Sequence, residues 1–69
     1  MTLLALQING ETRDTSADTL VELIRQLGLA DTAGVAVAVN GAVVPRSVWS
    51  GHALQNGDRV EVVGAVQGG

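Results

Sequence analysis

The stretch LALQINGETRDTSADTLVELIRQLGL, residues 4–29, decides how the rest of the chain is read. Leu4, Leu6 and Ile8 alternate with Ala5 and Gln7, which is the period of a half-buried strand. Asn9-Gly10 is the strongest two-residue hairpin signal, because both residues tolerate positive φ. Glu11 to Asp14 then read as a polar returning strand near a sheet edge. Thr19-Leu20-Val21-Glu22 fits a capping box, with Thr19 as N-cap. Leu20, Leu23, Ile24 and Leu27 recur at i, i+3, i+4 and i+7 and form one apolar stripe. Gly28 falls where a left-handed C-cap belongs, and Leu29 is placed to fold back on the stripe. So short a helix is unstable alone in water and must lie on a sheet.

Outward from this unit the pattern stays β. Residues 30–34 read as a loop. Val35 to Val39 alternate Val with Ala, and the small Ala face permits close approach of whatever covers it. Asn40-Gly41 is a second hairpin signal, followed by Ala42-Val43-Val44, and Pro45 ends that strand because it lacks a ladder donor. Residues 46–54 read as irregular, with one short helical turn. Asn56-Gly57-Asp58 is a turn in which Asp58 is expected to satisfy turn amides. Arg59 to Val63 is the last strand, with Val60 and Val62 on one face and Gly64 expected to break it. The first and last strands are expected to run parallel in the middle of one sheet. The fold class is therefore α+β: a β-grasp, ubiquitin-like, with a mixed sheet of four to five strands and one main helix on one face. Residues 1–64 form the domain and residues 65–69 a flexible tail ending in Gly-Gly.

The totals narrow the function. The chain has 69 residues and a formal net charge of −3. Its four basic residues are all Arg, too few for the phosphate-neutralising face that nucleic-acid binding needs. They also fall short of what an anionic membrane surface attracts. No apolar run approaches a membrane span, and the N-terminus lacks a basic flank, so a cytoplasmic protein is expected. With no Cys and one His, a thiolate cluster is impossible and a dense metal site is not expected. No group resembles a poised general base, so the chain is expected to be a co-substrate and not an enzyme.

Two segments carry a family resemblance: AVNGAVVPRSVW, residues 38–49, and LQNGDRVEVVGAVQGG, residues 54–69. Together they resemble the sulfur carrier proteins of thiamine biosynthesis, the ThiS family, over nearly the whole chain. The Pro45-Arg46 to Trp49 spacing is the more specific part, since a Gly-Gly end is shared by ubiquitin-like proteins of several functions. The resemblance implies a cycle. An ATP- and Mg-dependent, ubiquitin-activating-like enzyme adenylates the Gly69 carboxylate, a sulfur donor system converts it to a thiocarboxylate, and a thiazole synthase takes the sulfur. The carrier binds no cofactor of its own. Val66, Gln67 and Gly68 are the tail that enters partner active sites.

The residues agree with that chemistry. A free α-carboxylate is ionised at neutral pH and nucleophilic toward an ATP phosphate. Gly69 has no side chain to crowd its carbonyl carbon, and Gly68 none to obstruct a narrow entrance. Five extended residues reach about 16 Å. Arg46 reads either as a solvated charge or as a partner contact, and Trp49 either as a core flap or as a partner contact. His52 reads as a loop residue. Three other functions stay open: the sulfur-carrying small subunit of molybdopterin synthase, a modifier joined to target lysines, and a stand-alone interaction module whose tail has no role.

Overall fold

A computed structural model describes residues 3–64. Five strands form one mixed sheet in the order β2-β1-β5-β3-β4. They are β1 (Leu4–Ile8), β2 (Glu11–Thr15), β3 (Val35–Val39), β4 (Ala42–Val43) and β5 (Arg59–Gly64). Among the described residues the one α-helix, α1, spans Leu20–Gln26, and a 3₁₀ helix spans Arg46–Gly51. This is the expected β-grasp, with all five strands present.

The hairpins form for the reason the dipeptides suggested. Asn9 and Gly10 take φ of 52° and 86°, and Asn40 and Gly41 take 53° and 86°. Positive φ at both central residues is the turn whose twist matches that of the flanking strands. β1 and β2 pair antiparallel from Leu4↔Thr15 to Ile8↔Glu11. β5 enters between β1 and β3, parallel to the first through Gln7↔Arg59 and Ile8↔Val60, antiparallel to the second from Val39↔Val60 to Val35↔Gly64. That last pair corrects one expectation. Gly64 does not break the strand; it is the final paired residue of β5, because the start of β3 lies opposite it.

The helix is punctuated as its residues demand. The Thr19 hydroxyl accepts the Glu22 N–H at 3.4 Å. The Glu22 carboxylate turns to Arg25 at 2.7 Å, so only half of the capping box closes. At the other end Gly28, at φ 78°, donates to Arg25 C=O, and Leu29 donates to Ile24 C=O, both at 3.0 Å. These two bonds are the Schellman pattern that glycine permits. Leu20, Leu23 and Ile24 are buried, and Leu27 and Leu29 pack on the margin of the core. They meet Leu6, Ile8, Val37, Val39 and Val60 from the sheet.

Thr15, at the end of β2, is buried and polar. Its hydroxyl donates to the Gln26 side chain at 2.5 Å and accepts the Ala17 N–H at 3.0 Å. It thus fastens the edge hairpin to the last turn of α1. Among the described residues, no buried side-chain nitrogen or oxygen lacks a partner. No helix among the described residues is long and apolar enough to cross a membrane.

Candidate functional site

The expected working residues, Val66 to Gly69, lie outside the described residues, as does the whole 65–69 tail. What the structure places is the ground from which that segment departs. β5 lies between β1 and β3: its first two residues pair with β1, and its last residue, Gly64, pairs with Val35 of β3. The strand carries buried Val60 and half-buried Val62 on the helix side. The ladder with β3, from Val60 to Gly64, is what holds the end of the strand.

Two side chains brace β5 from the turns. The Asn9 carboxamide accepts the Val62 N–H at 2.9 Å and donates to the Val62 C=O at 3.2 Å. The Asn40 carboxamide accepts the Arg59 N–H at 3.0 Å and donates to Asp58 at 3.0 Å. Asp58 also accepts the Gln55 N–H at 2.9 Å, the turn role expected of it. In the sequence both Asn residues read as turn formers only. Nothing in a dipeptide announces partners 18, 19 or 53 residues away.

Arg46 and Trp49 come together, at the start and middle of the 3₁₀ helix. Trp49 is 3% exposed, in the core, and its indole N–H donates to Val44 C=O at 2.9 Å. Of its two readings, the structure carries the core one. A ring this buried has almost no surface to offer a partner, because the 3₁₀ helix folds it under against α1. Arg46 is exposed, but its guanidinium donates to Thr32 C=O at 2.7 Å and to Ala30 C=O at 3.4 Å. Its central carbon stands 4.9 Å from the Trp49 ring centre, a cation–π distance. It therefore staples the 30–32 loop over Trp49. His52 ends the 3₁₀ helix, and its C=O accepts the Leu20 N–H at 2.9 Å, tying this segment to the start of α1.

The sheet face opposite α1 is open. Ala36 is exposed, Val43 is 76% and Val63 62% exposed, and among the described residues nothing packs over them. The small Ala face of β3 thus has no cover within the domain. Glu61 and Arg59 share this side of β5 and supply its charge.

Comparisons with known proteins agree with this architecture. The ThiS family model matches residues 6–69. A thiazole synthase from Paramagnetospirillum magneticum is 43% identical over 65 residues, which covers 93% of this chain. The chain spans only 20% of that protein's length. The sulfur carrier protein ThiS of Escherichia coli is 37% identical over 54 residues, covering 78% of this chain and 80% of that protein. A crystal structure of the thiamine biosynthesis protein ThiS from Geobacter metallireducens superposes with a TM-score of 0.79 at 29% identity, covering 96% of this chain and 100% of that one. The solution structure of a thiamine biosynthesis protein from the same organism gives 0.77 at 28%, covering 96% and 88%.

Proposed function

The chain belongs to the ThiS family, and from that premise we propose that it is a sulfur carrier for thiazole formation in thiamine biosynthesis, working from the carboxylate of Gly69. The observation that carries the proposal is the extent of the family match, which runs through the Gly-Gly pair at residues 68–69. The likeness to a curated sulfur carrier over most of both chains supports it.

The chemistry asks little of the folded domain and much of its end. The Gly69 carboxylate attacks the α-phosphorus of ATP on a partner enzyme, forming the acyl-adenylate and releasing pyrophosphate. A sulfur nucleophile from a donor system then displaces AMP at the carbonyl carbon. The resulting thiocarboxylate surrenders its sulfur to a thiazole synthase. A glycine carbonyl is the least hindered one available for both displacements. The domain contributes binding surface and a braced point of departure at Gly64. The protein is thus a covalent co-substrate, and ATP and Mg belong to the activating enzyme. A thiazole synthase with a segment 43% identical to this chain supports that class of acceptor and favours thiamine over molybdopterin chemistry.

Intact-mass spectrometry tests the proposal. With an activating enzyme of this class, ATP, Mg²⁺ and a sulfur source, the mass is expected to rise by the difference between one sulfur and one oxygen. Fragmentation is expected to place the change on Gly69. Deleting Gly69 is expected to abolish the shift and leave the melting temperature unchanged. A stable amide to a target lysine in place of the thiocarboxylate would turn the assignment to a protein modifier.

A further inference from the structure

The backbone ladder between β1 and β5 stops early. It holds Gln7↔Arg59 and Ile8↔Val60, and then β1 turns away at Asn9-Gly10. β5 continues for four more residues, to Gly64. On the β1 side its next inward-facing peptide groups are those of Val62. The Asn9 carboxamide meets both of them, accepting the N–H at 2.9 Å and donating to the C=O at 3.2 Å. A carboxamide has the donor and acceptor of a peptide group, so one side chain does here what the next residue of β1 would have done. The Asn9 backbone N–H adds a bond to Val60 C=O at 2.9 Å.

We propose that Asn9 is a positioning residue for sulfur loading: its side chain extends the β1–β5 ladder to Val62 and so fixes the direction in which the chain leaves the sheet toward Gly69. The inference rests on the carrier reading above. Its logic is geometric. Val62 is two residues from the end of β5, so freedom at this point adds to the spread of positions over which the Gly69 carboxylate must be captured. Positional error of about 1 Å at a reacting atom lowers rates by as much as 100-fold. The turn gives a second reason for Asn. The site needs positive φ, observed at 52°. Asn is the side chain that combines this tolerance with a peptide-like head.

Asn40 supplies the matched control. It has the same turn geometry, φ 53° followed by Gly at 86°, and its side chain also holds β5. Its contact is with Arg59, at the opposite end of the strand from the tail. Glycine at either position keeps the turn and removes only the carboxamide. The experiment compares Asn9→Gly and Asn40→Gly in the full chain. It measures amide hydrogen exchange at Val62 and the steady-state kinetics of adenylation by an activating enzyme. Asn9→Gly is expected to speed Val62 exchange about tenfold, as expected for loss of two solvent-accessible hydrogen bonds. It is expected to lower kcat about five- to tenfold with KM within about twofold, because docking surfaces are intact and only placement is lost. Asn40→Gly is expected to leave Val62 exchange and kcat at the wild-type values while lowering the melting temperature similarly. Equal kinetics for the two variants, or wild-type kcat in Asn9→Gly, would overturn the positioning role. Failure of the wild-type chain to be adenylated at all would instead overturn the carrier reading, while the exchange contrast still decides whether Asn9 holds the strand.

Discussion

The two faces of the sheet are made from the same strands and have opposite characters. On the helix side, Leu6, Ile8, Val37, Val39 and Val60 are buried against Leu20, Leu23, Ile24 and Trp49. On the other side, Ala36, Val43 and Val63 stand exposed, with Gln7, Arg59 and Glu61 around them. A one-residue shift in any strand would exchange the two sets, so register is fixed by the packed face. The difference teaches where the stability of a small domain resides. A domain of this size buries about 60% of the surface its unfolded chain exposes. The packed face must therefore supply nearly all of the stabilisation, and substitutions on the open face are thermodynamically cheap.

Substitutions on each face test that contrast. The largest effect is expected from Leu23→Ala, at 2% exposure beneath the helix. It should cost about 2–5 kcal/mol through lost burial and a residual cavity. Denaturant unfolding checks this, and a cost near zero would show that the helix face is not the core. Trp49→Phe comes next. It keeps most of the ring's packing but strands the Val44 C=O, which loses the indole bond of 2.9 Å. An unpaired buried acceptor costs about 1–3 kcal/mol. Arg46→Ala should cost about 0.5–1.5 kcal/mol, through loss of exposed bonds to Ala30 and Thr32 and of the contact over Trp49. Because Trp49 is the only Trp, its emission should report the loosened cover directly. Val63→Ser is the smallest, within about 0.5 kcal/mol, since the side chain already stands 62% in water. A Val63→Ser cost matching that of Leu23→Ala would dissolve the distinction between the faces.

The candidate site divides along the same line as the fold. The family signature, the terminal glycines with the Pro45-Arg46 to Trp49 spacing, was legible, because it consists of short strings whose resemblance stands in the residues themselves. The roles of Arg46 and Trp49 were not. Arg46 has a fork of five N–H donors and no local partner to predict, and its acceptors are backbone carbonyls of another loop, 14 and 16 residues away. Backbone carbonyls carry no sequence signature. Trp49 is amphipathic, equally at home in a core or an interface, and only the position of Val44 C=O settles its indole.

What the sequence by itself determined was everything governed by neighbours in the chain. The Asn-Gly turns, the Thr19 cap, the Gly28 exit from α1 and the alternation of β1 and β3 are short-range steric and hydrogen-bond preferences, and all of them appear where the residues put them. Tertiary structure alone decided the contacts whose partners are remote. Gly64 joins β5 because Val35 lies opposite it, although glycine's intrinsic preference is against a strand interior. Asn9 becomes a brace because β5, 53 positions later, runs past the hairpin at the distance of one carboxamide. Local preference fixes which conformations are cheap. The partner of a polar side chain is set by where the assembled sheet brings unpaired backbone, and that is a property of no single segment.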